Sequence, residues 1–265
     1  MRAVGVHADV VVVTSRLWQT TATAIRAPRG DPAEAAEAVL IDSPYFPDEL
    51  ELLPSLLSQA GFALDGLIAT HADFDHLLGR LSFPALTLGM AESSAARLRA
   101  EPGVAQRELR DADAEHYVAR PAPLSLGGAQ ALPVPGHLAL GDEEIELHPA
   151  EGHTADGCVL LARFAGVLAC GDYLSDVELP MISGGGSLDG YRATLARLAP
   201  LIESAEAIVP GHGSPHDAQT ALRILDEDVE YLDRLERGEE RPPLPRGRDS
   251  GRQRRIHRAN LQRLA

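Results

Sequence analysis

Short apolar, β-branched runs alternate with stretches of helical spacing along the whole chain. Residues 10–14 are four Val closed by Thr, residues 18–25 alternate with Thr, and residues 38–41 are apolar and stop at Asp42-Ser43-Pro44. Such runs predict strands. Over residues 47–60, Leu50, Leu53, Leu56 and Leu57 recur at i+3 and i+4, and Gly61 follows. That spacing predicts an amphipathic helix with a glycine stop. Residues 64–70 read as a strand that runs straight into His71. Further strands are predicted at 84–88, 144–148, 158–163, 166–170 and 205–209, with helices at 90–100, 188–201 and 215–237. The pair 158–163 and 166–170 reads as a hairpin. Residues 101–143 carry scattered Pro and no clear period, so they read as irregular. Residues 237–251 read as a linker and 252–264 as a short basic helix. Strands and helices interleaved in both halves predict two packed sheets covered by helices. The expected organisation is one domain over residues 1–240 and an Arg-rich tail over 241–265.

Composition sharpens this. The chain has 265 residues, 45 % of them hydrophobic and 24 % charged, enough apolar residue for a sizeable core. Net charge is −15, and every one of its 24 basic residues is Arg. Eight of those Arg fall in residues 241–265 beside a single acid, Asp249, so the body is more acidic than the total. An acidic body argues against nucleic acid and anionic membrane as partners, because both need clustered cations. A small-molecule substrate is expected instead. No apolar run approaches the ~20 residues that span a bilayer, and the N-terminal apolar run is too short for a secretory signal. With only Cys158 and Cys170, no disulfide framework is expected, and the chain reads as cytoplasmic. The hairpin register places the two Cys almost opposite each other. They are either two buried thiols or a redox pair.

The densest chemistry lies in Thr70-His71-Ala72-Asp73-Phe74-Asp75-His76. Four groups able to ligate metal occupy six positions after an apolar strand, and side chains two apart in extended backbone point the same way. Alone, the run also reads as a polar turn capping a helix. Three later segments shift the balance: Glu151-Gly152-His153-Thr154, Cys170-Gly171-Asp172 and Pro210-Gly211-His212-Gly213. Each puts an imidazole or a carboxylate at a strand end, beside a Gly that lets backbone approach.

This ordered set resembles the metallo-β-lactamase-fold hydrolases, whose pattern is His-x-His-x-Asp-His, Gly-His-Thr/Ser, Gly-Asp and Gly-His. The resemblance spans about residues 10–215, and Leu40-Ile41-Asp42-Ser43 matches a strand end in which the Asp supports the metal loop. It implies a mixed α/β (α+β) chain folded as a four-layer αββα sandwich, with metals at one edge between the sheets. It implies a first metal site of His71, Asp73 and His153, and a second of Asp75, His76 and His212. Asp172 would bridge the two. Two divalent cations, zinc before iron or manganese, would polarise a carbonyl or phosphoryl oxygen and supply hydroxide. Asp75 is the residue placed to accept a proton.

Asp73 departs from the family pattern, which has His there. The centre becomes one charge less positive, which disfavours strongly anionic substrates. The set His71, Asp73 and His153 is two-His-one-carboxylate, which also suits iron or manganese. Asp73 is either a ligand or a group hydrogen-bonded to one, and restoring His is expected to raise zinc affinity. The expected activity is metal-dependent hydrolysis of a small ester, thioester, lactone or related molecule. Gly152-His153-Thr154-Ala155-Asp156-Gly157-Cys158 is also similar to a segment of the family's iron-dependent persulfide dioxygenases, so a mononuclear iron oxidoreductase is the competing reading. A metal-binding member without hydrolase activity is the third. Ser183-Gly184-Gly185-Gly186-Ser187 reads either as a connection with Ser187 capping the next helix or as a mobile lip over the metals. The tail reads as a disordered cationic end, a helix folded on the acidic body, or a contact with a partner such as a second subunit. Folded near the pocket, it would bring His257, Arg258 or Asn260 within reach of substrate.

Overall fold

In the computed structural model, which describes residues 1–28 and 36–264, two sheets lie face to face. The first has seven strands in the order β1 (Arg2–His7), β2 (Val10–Thr14), β3 (Thr21–Arg26), β4 (Ala36–Asp42), β5 (Phe62–Ala69), β6 (Thr87–Ala91) and β7 (Gln130–Leu132). Strands β1 to β4 pair antiparallel, and β4 to β7 pair parallel. The second runs β12 (Ala207–Val209), β11 (Val167–Ala169), β10 (Cys158–Ala162), β9 (Glu143–Pro149) and β8 (Gly136–Leu140). Only its β11–β12 pair is parallel.

Strand residues alternate between faces, so each sheet buries two different sets. Val10, Val12, Val39, Ile41 and Ile68 meet Leu147, Cys158, Leu160, Val167 and Val209 between the sheets. On the other face of the first sheet, Val13, Leu40, Leu67 and Met90 pack under α1 (Pro47–Gln59), α3 (Glu92–Ala100) and α4 (Val104–Glu115). A short helix, α2 (Gly79–Ser82), joins that layer beside α1. On the outer face of the second sheet, Val159, Leu161 and Leu168 pack under α5 (Leu188–Glu203) and α6 (Ala218–Glu236). The result is the αββα sandwich expected from the motifs.

Most predicted elements recur within a few residues of their expected bounds, and three regions differ. Residues 18–25 do not form one strand: β3 starts at Thr21, and Trp18 and Gln19 both sit at φ 53°. Residues 101–143 are not irregular, since they hold α4, β7 and β8. Helix α4 hides itself in the sequence because the side chains it buries are mostly small (Ala105, Ala112) and only Leu109 is large. Strand β1 is mostly exposed and Gly-containing, so its apolar pattern is weak.

The cysteines do not form a redox pair. Leu160 faces Ala169 across the hairpin, so Cys158 is one residue out of step with Cys170. A one-residue offset turns side chains to opposite faces. Cys158 lies between the sheets and Cys170 under the helices. Both are free and fully buried, and burial pushes the Cys158 thiol up to about 12 and the Cys170 thiol higher. Native protein should therefore react slowly with an aromatic disulfide reagent and give two thiols only after denaturation. Rapid labelling, or an intramolecular disulfide under mild oxidation, contradicts this arrangement.

The Arg-rich segment ends in α7 (Gly251–Leu264), which packs on α6. Its anchor is Arg248, 1 % exposed, which donates to the Asp228 carboxylate, to Glu227 at 2.8 Å and to the Glu178 carbonyl at 3.1 Å. The acidic body that receives this segment is thus that of the same chain. His257 and Asn260 do not face substrate space. His257 contacts the Tyr231 hydroxyl and the Glu239 carbonyl, and Asn260 bonds the Pro180 carbonyl and the Ile182 N–H. Arg258 is exposed in a groove with Glu240 and Leu261. No described helix is long and apolar enough to cross a membrane.

Candidate metal centre

Strands from both sheets end at one edge of the sandwich, and their following turns supply the seven side chains expected there. Strand β5 leads into His71, Asp73, Asp75 and His76; the turn before β10 holds His153; Asp172 follows β11; His212 follows β12. The structure brings all seven together. Ligand atoms of His71, Asp73 and His153 lie within 4.8 Å of one another, as do those of Asp75, His76 and His212, and those of His71, His76 and Asp172.

Asp172 sits between the two triads with one oxygen for each. Its Oδ2 is 3.3 Å from His153 Nε2 and 3.8 Å from His71 Nε2. Its Oδ1 is 3.1 Å from His76 Nε2 and 3.3 Å from His212 Nε2. Asp73 Oδ2 lies 3.4 Å from His153 Nε2 and 3.7 Å from His71 Nε2, and Asp75 Oδ2 lies 3.4 Å from His212 Nε2. Ligands at about 2.1 Å around a tetrahedral ion are about 3.4 Å from each other. The observed spacings match that edge length.

The other ring nitrogen of each His settles which one faces inward. His153 Nδ1 is 2.8 Å from the Met181 carbonyl and His212 Nδ1 is 3.2 Å from the Trp18 carbonyl. A carbonyl only accepts, so Nδ1 carries the proton and Nε2 keeps its lone pair. For His71, the Thr70 hydroxyl donates to Asp42 Oδ2 at 2.8 Å and is left to accept from His71 Nδ1 at 3.1 Å. His76 Nδ1 lies 2.9 Å from the same Asp42 oxygen. All four Nε2 atoms converge on one volume, and for His71, His153 and His212 the Nδ1 contact leaves the lone pair at Nε2. The Nε2 atoms of His71, His76 and His153, together with His76 Nδ1 and Asp172 Oδ1, are buried without a hydrogen-bond partner. Buried polar atoms are normally satisfied, so this donor set fits a cation.

The field is that of a cation site. Burial lowers the basicity of His76, but Asp42, Asp172 and Asp75 more than offset it and raise its pKa well above the usual range. His212 behaves alike, with burial outweighed by Asp172 and Asp75. Burial raises the Asp172 carboxyl, yet His212, His76 and His153 hold it well below its ordinary value.

Two glycines make the crowding workable. A Cβ on Gly211 would lie 2.5 Å from Asp172 Oδ1 and 2.8 Å from the His76 ring. Gly152, at φ +129°, would place one 2.1 Å from the Tyr191 amide nitrogen. The glycine-rich 183–187 stretch is tied to the same turn: Ser183 N–H donates to the His153 carbonyl at 2.7 Å and Ser187 N–H to the Gly152 carbonyl at 3.0 Å. Ser187 also caps α5, accepting from Gly190 N–H at 3.1 Å. Asp42, held at φ 59°, accepts from the Thr70 N–H as well as its hydroxyl, and so carries both His71 and His76.

The sequence profile of the metallo-β-lactamase superfamily matches residues 17–212. The chain belongs to the metallo-β-lactamase superfamily. No curated protein matches this sequence significantly. Among solved structures, it resembles a metallo-β-lactamase family protein from Thermus thermophilus at 17 % identity, covering 87 % of this chain and 81 % of that one, with a TM-score of 0.65. A β-lactamase domain protein from Burkholderia ambifaria shares 18 % identity over 89 % and 77 % of the two chains, TM-score 0.63. TTHA1623, solved in a di-iron-bound form, shares 22 % identity over 80 % and 97 %, TM-score 0.60. At these identities the likeness is one of fold.

Against the usual metallo-β-lactamase motif, several neighbours of the centre escape a sequence reading. Arg97 of α3 contacts Asp73 and Asp156. Trp18 forms an aromatic group with Tyr45, Phe74 and His116, with ring centroids 5.4, 6.3 and 5.4 Å away. Arg252 of α7 lies 5.1 Å over the Trp18 ring and bonds Glu178, whose carboxylate is 3.8 Å from His212 Nδ1. These contacts join segments far apart in the chain, and no local motif announces them. His148 pairs with Glu146 at 2.9 Å on the strand surface, and His216 lies beside Asp176 at 3.9 Å; neither is in the cluster of seven.

Proposed function

We propose that this chain is a metal-dependent hydrolase of a small ester, thioester, lactone or related substrate. The carrying observation is the convergence of four Nε2 atoms on three carboxylates at tetrahedral spacing, with Nδ1 of His71, His153 and His212 each engaged by a neighbouring oxygen. His71, Asp73 and His153 would hold the first cation and Asp75, His76 and His212 the second, with Asp172 offering an oxygen to each. Such a pair, zinc before iron or manganese, would supply Lewis acidity for a carbonyl oxygen and acidify water toward neutral pH. Asp75 would present Oδ2 to the second cation, beside His212 Nε2 at 3.4 Å, which leaves its Oδ1 as the oxygen able to accept a proton. The Trp18 ring packs on Phe74 at 6.3 Å and its carbonyl meets His212 Nδ1 at 3.2 Å, so the two rings would supply an apolar wall near the second triad.

One observation keeps an iron oxidoreductase in view. Asp73 makes the first triad two-His-one-carboxylate, a set that suits iron or manganese, and TTHA1623 was solved with two irons. Metal analysis of protein purified without chelator separates the readings. Two equivalents of zinc or manganese with turnover of a small-ester and lactone panel supports the hydrolase. One iron per chain with oxygen consumption replaces it, and bound metal without either activity leaves a binding role.

A further inference from the structure

Asp73 is the residue at which the centre departs from its family, and it has a partner. Arg97 Nη1 lies 2.7 Å from Asp73 Oδ1 and 2.9 Å from Asp156 Oδ1. Its Nε reaches Glu101 Oε2 at 3.4 Å. Asp156 is itself pinned, because its Oδ2 accepts the Ala72 N–H at 3.0 Å. The Asp156 side chain is 2 % exposed and that of Arg97 17 %, so this is not a loose surface pair. Asp73 is thus divided: Oδ1 belongs to the guanidinium, and Oδ2 faces His71 and His153.

We propose that Asp73 and Arg97 act as one unit, with Arg97 the positioning residue that makes Asp73 a single-oxygen ligand for the first cation. The inference rests on the metal reading above. The guanidinium fixes the carboxylate rotamer, prevents both oxygens from turning to the cation, and cancels the charge that Asp adds where the family has His. Without Arg97, Asp73 Oδ1 and Asp156 Oδ1 lose the donor they share and repel each other. The two residues are therefore not exchangeable separately. An imidazole at position 73 is longer than a carboxylate and runs toward the space of Arg97 Nη1. It also removes one of that guanidinium's carboxylate partners and leaves it Asp156 and Glu101 alone. This modifies the expectation from sequence: Asp73→His alone does not build a three-His zinc site, whereas Asp73→His with Arg97→Met does.

The test is a competitive chelator titration with Zn²⁺, together with metal content, on the full chain and on Arg97→Met, Arg97→Lys, Asp73→His and Asp73→His/Arg97→Met. Arg97→Met is expected to weaken the first zinc at least tenfold and leave the second unchanged, and Arg97→Lys to recover part of the loss. In the Asp73→His background the sign reverses, and Arg97→Met tightens the first zinc at least tenfold. A merely structural Arg97 cannot produce that reversal, and retention of the second zinc shows that each variant is folded at the site. Equal effects of Arg97→Met in both backgrounds, or none in either, overturn the inference while leaving a two-zinc protein. A parent chain that takes up no zinc at all overturns the metal reading instead.

Discussion

Replacing His76 and Asp172 by Ala together should lower hydrolysis of the small-ester and lactone panel by about 10⁴-fold, roughly 5.5 kcal/mol of transition-state stabilisation. The two are chosen because they meet at the middle of the site. His76 Nε2 is 3.1 Å from Asp172 Oδ1, and Asp172 is the carboxylate that presents an oxygen to each triad. Removing both leaves the second triad with Asp75 and His212 and deprives the first of its link to it. Neither cation then has three protein ligands with a shared carboxylate, and the geometry that orients a carbonyl is lost. The loss should appear in kcat as well as kcat/KM, because the missing interactions act on the reacting atoms. Metal content, measured on the same preparations, should fall in step. Hydrolysis within about tenfold of the parent, in a folded double variant, rules out the metal-dependent reaction.

The second large effect is on stability. Asp228→Ala should cost about 3 to 5 kcal/mol, the range for removing one partner of a buried pair. Arg248 is 1 % exposed and its strongest partner is Asp228, which is equally buried. Glu227 and the Glu178 carbonyl remain to it, which places the effect toward the lower end. For a chain of this size that corresponds to a fall in Tm of roughly 10 °C by scanning calorimetry. The double change Asp228→Leu/Arg248→Met removes both charges and should lie much closer to the parent, since buried pairs gain little over apolar packing. A fall under about 2 °C for Asp228→Ala would show that the Arg-rich segment is not anchored there. The result also bears on the site, because α7 carries Arg252 to the Trp18 ring and to Glu178.

Local chemistry and local period determined much of this protein before any folding. His71, Asp73, Asp75 and His76 follow an apolar strand within six positions, and His153, Asp172 and His212 each stand beside a glycine in a turn next to a strand. A strand ends where its side chains meet the sheet edge, so such residues declare both their element and their destination. The helices α1, α5 and α6 were legible because their large apolar residues recur on one face. Tertiary structure decided what depends on facing, register and docking. Helix α4 buries one large apolar side chain, Leu109, beside Ala105, Ala112 and Asp113, so no row of large apolar residues marks its inner face. A one-residue register offset sent Cys158 and Cys170 to opposite faces of one sheet. The basic segment ceased to be a free cationic tail because Arg248 found Asp228 under it. Above all, the meaning of Asp73 came from α3: a carboxylate where the family has imidazole reads as a weakened ligand in sequence, and as half of an ion pair once Arg97 is docked 2.7 Å away. Spacing along the chain reports what one element does alone, whereas a charge is balanced by whatever packing brings beside it.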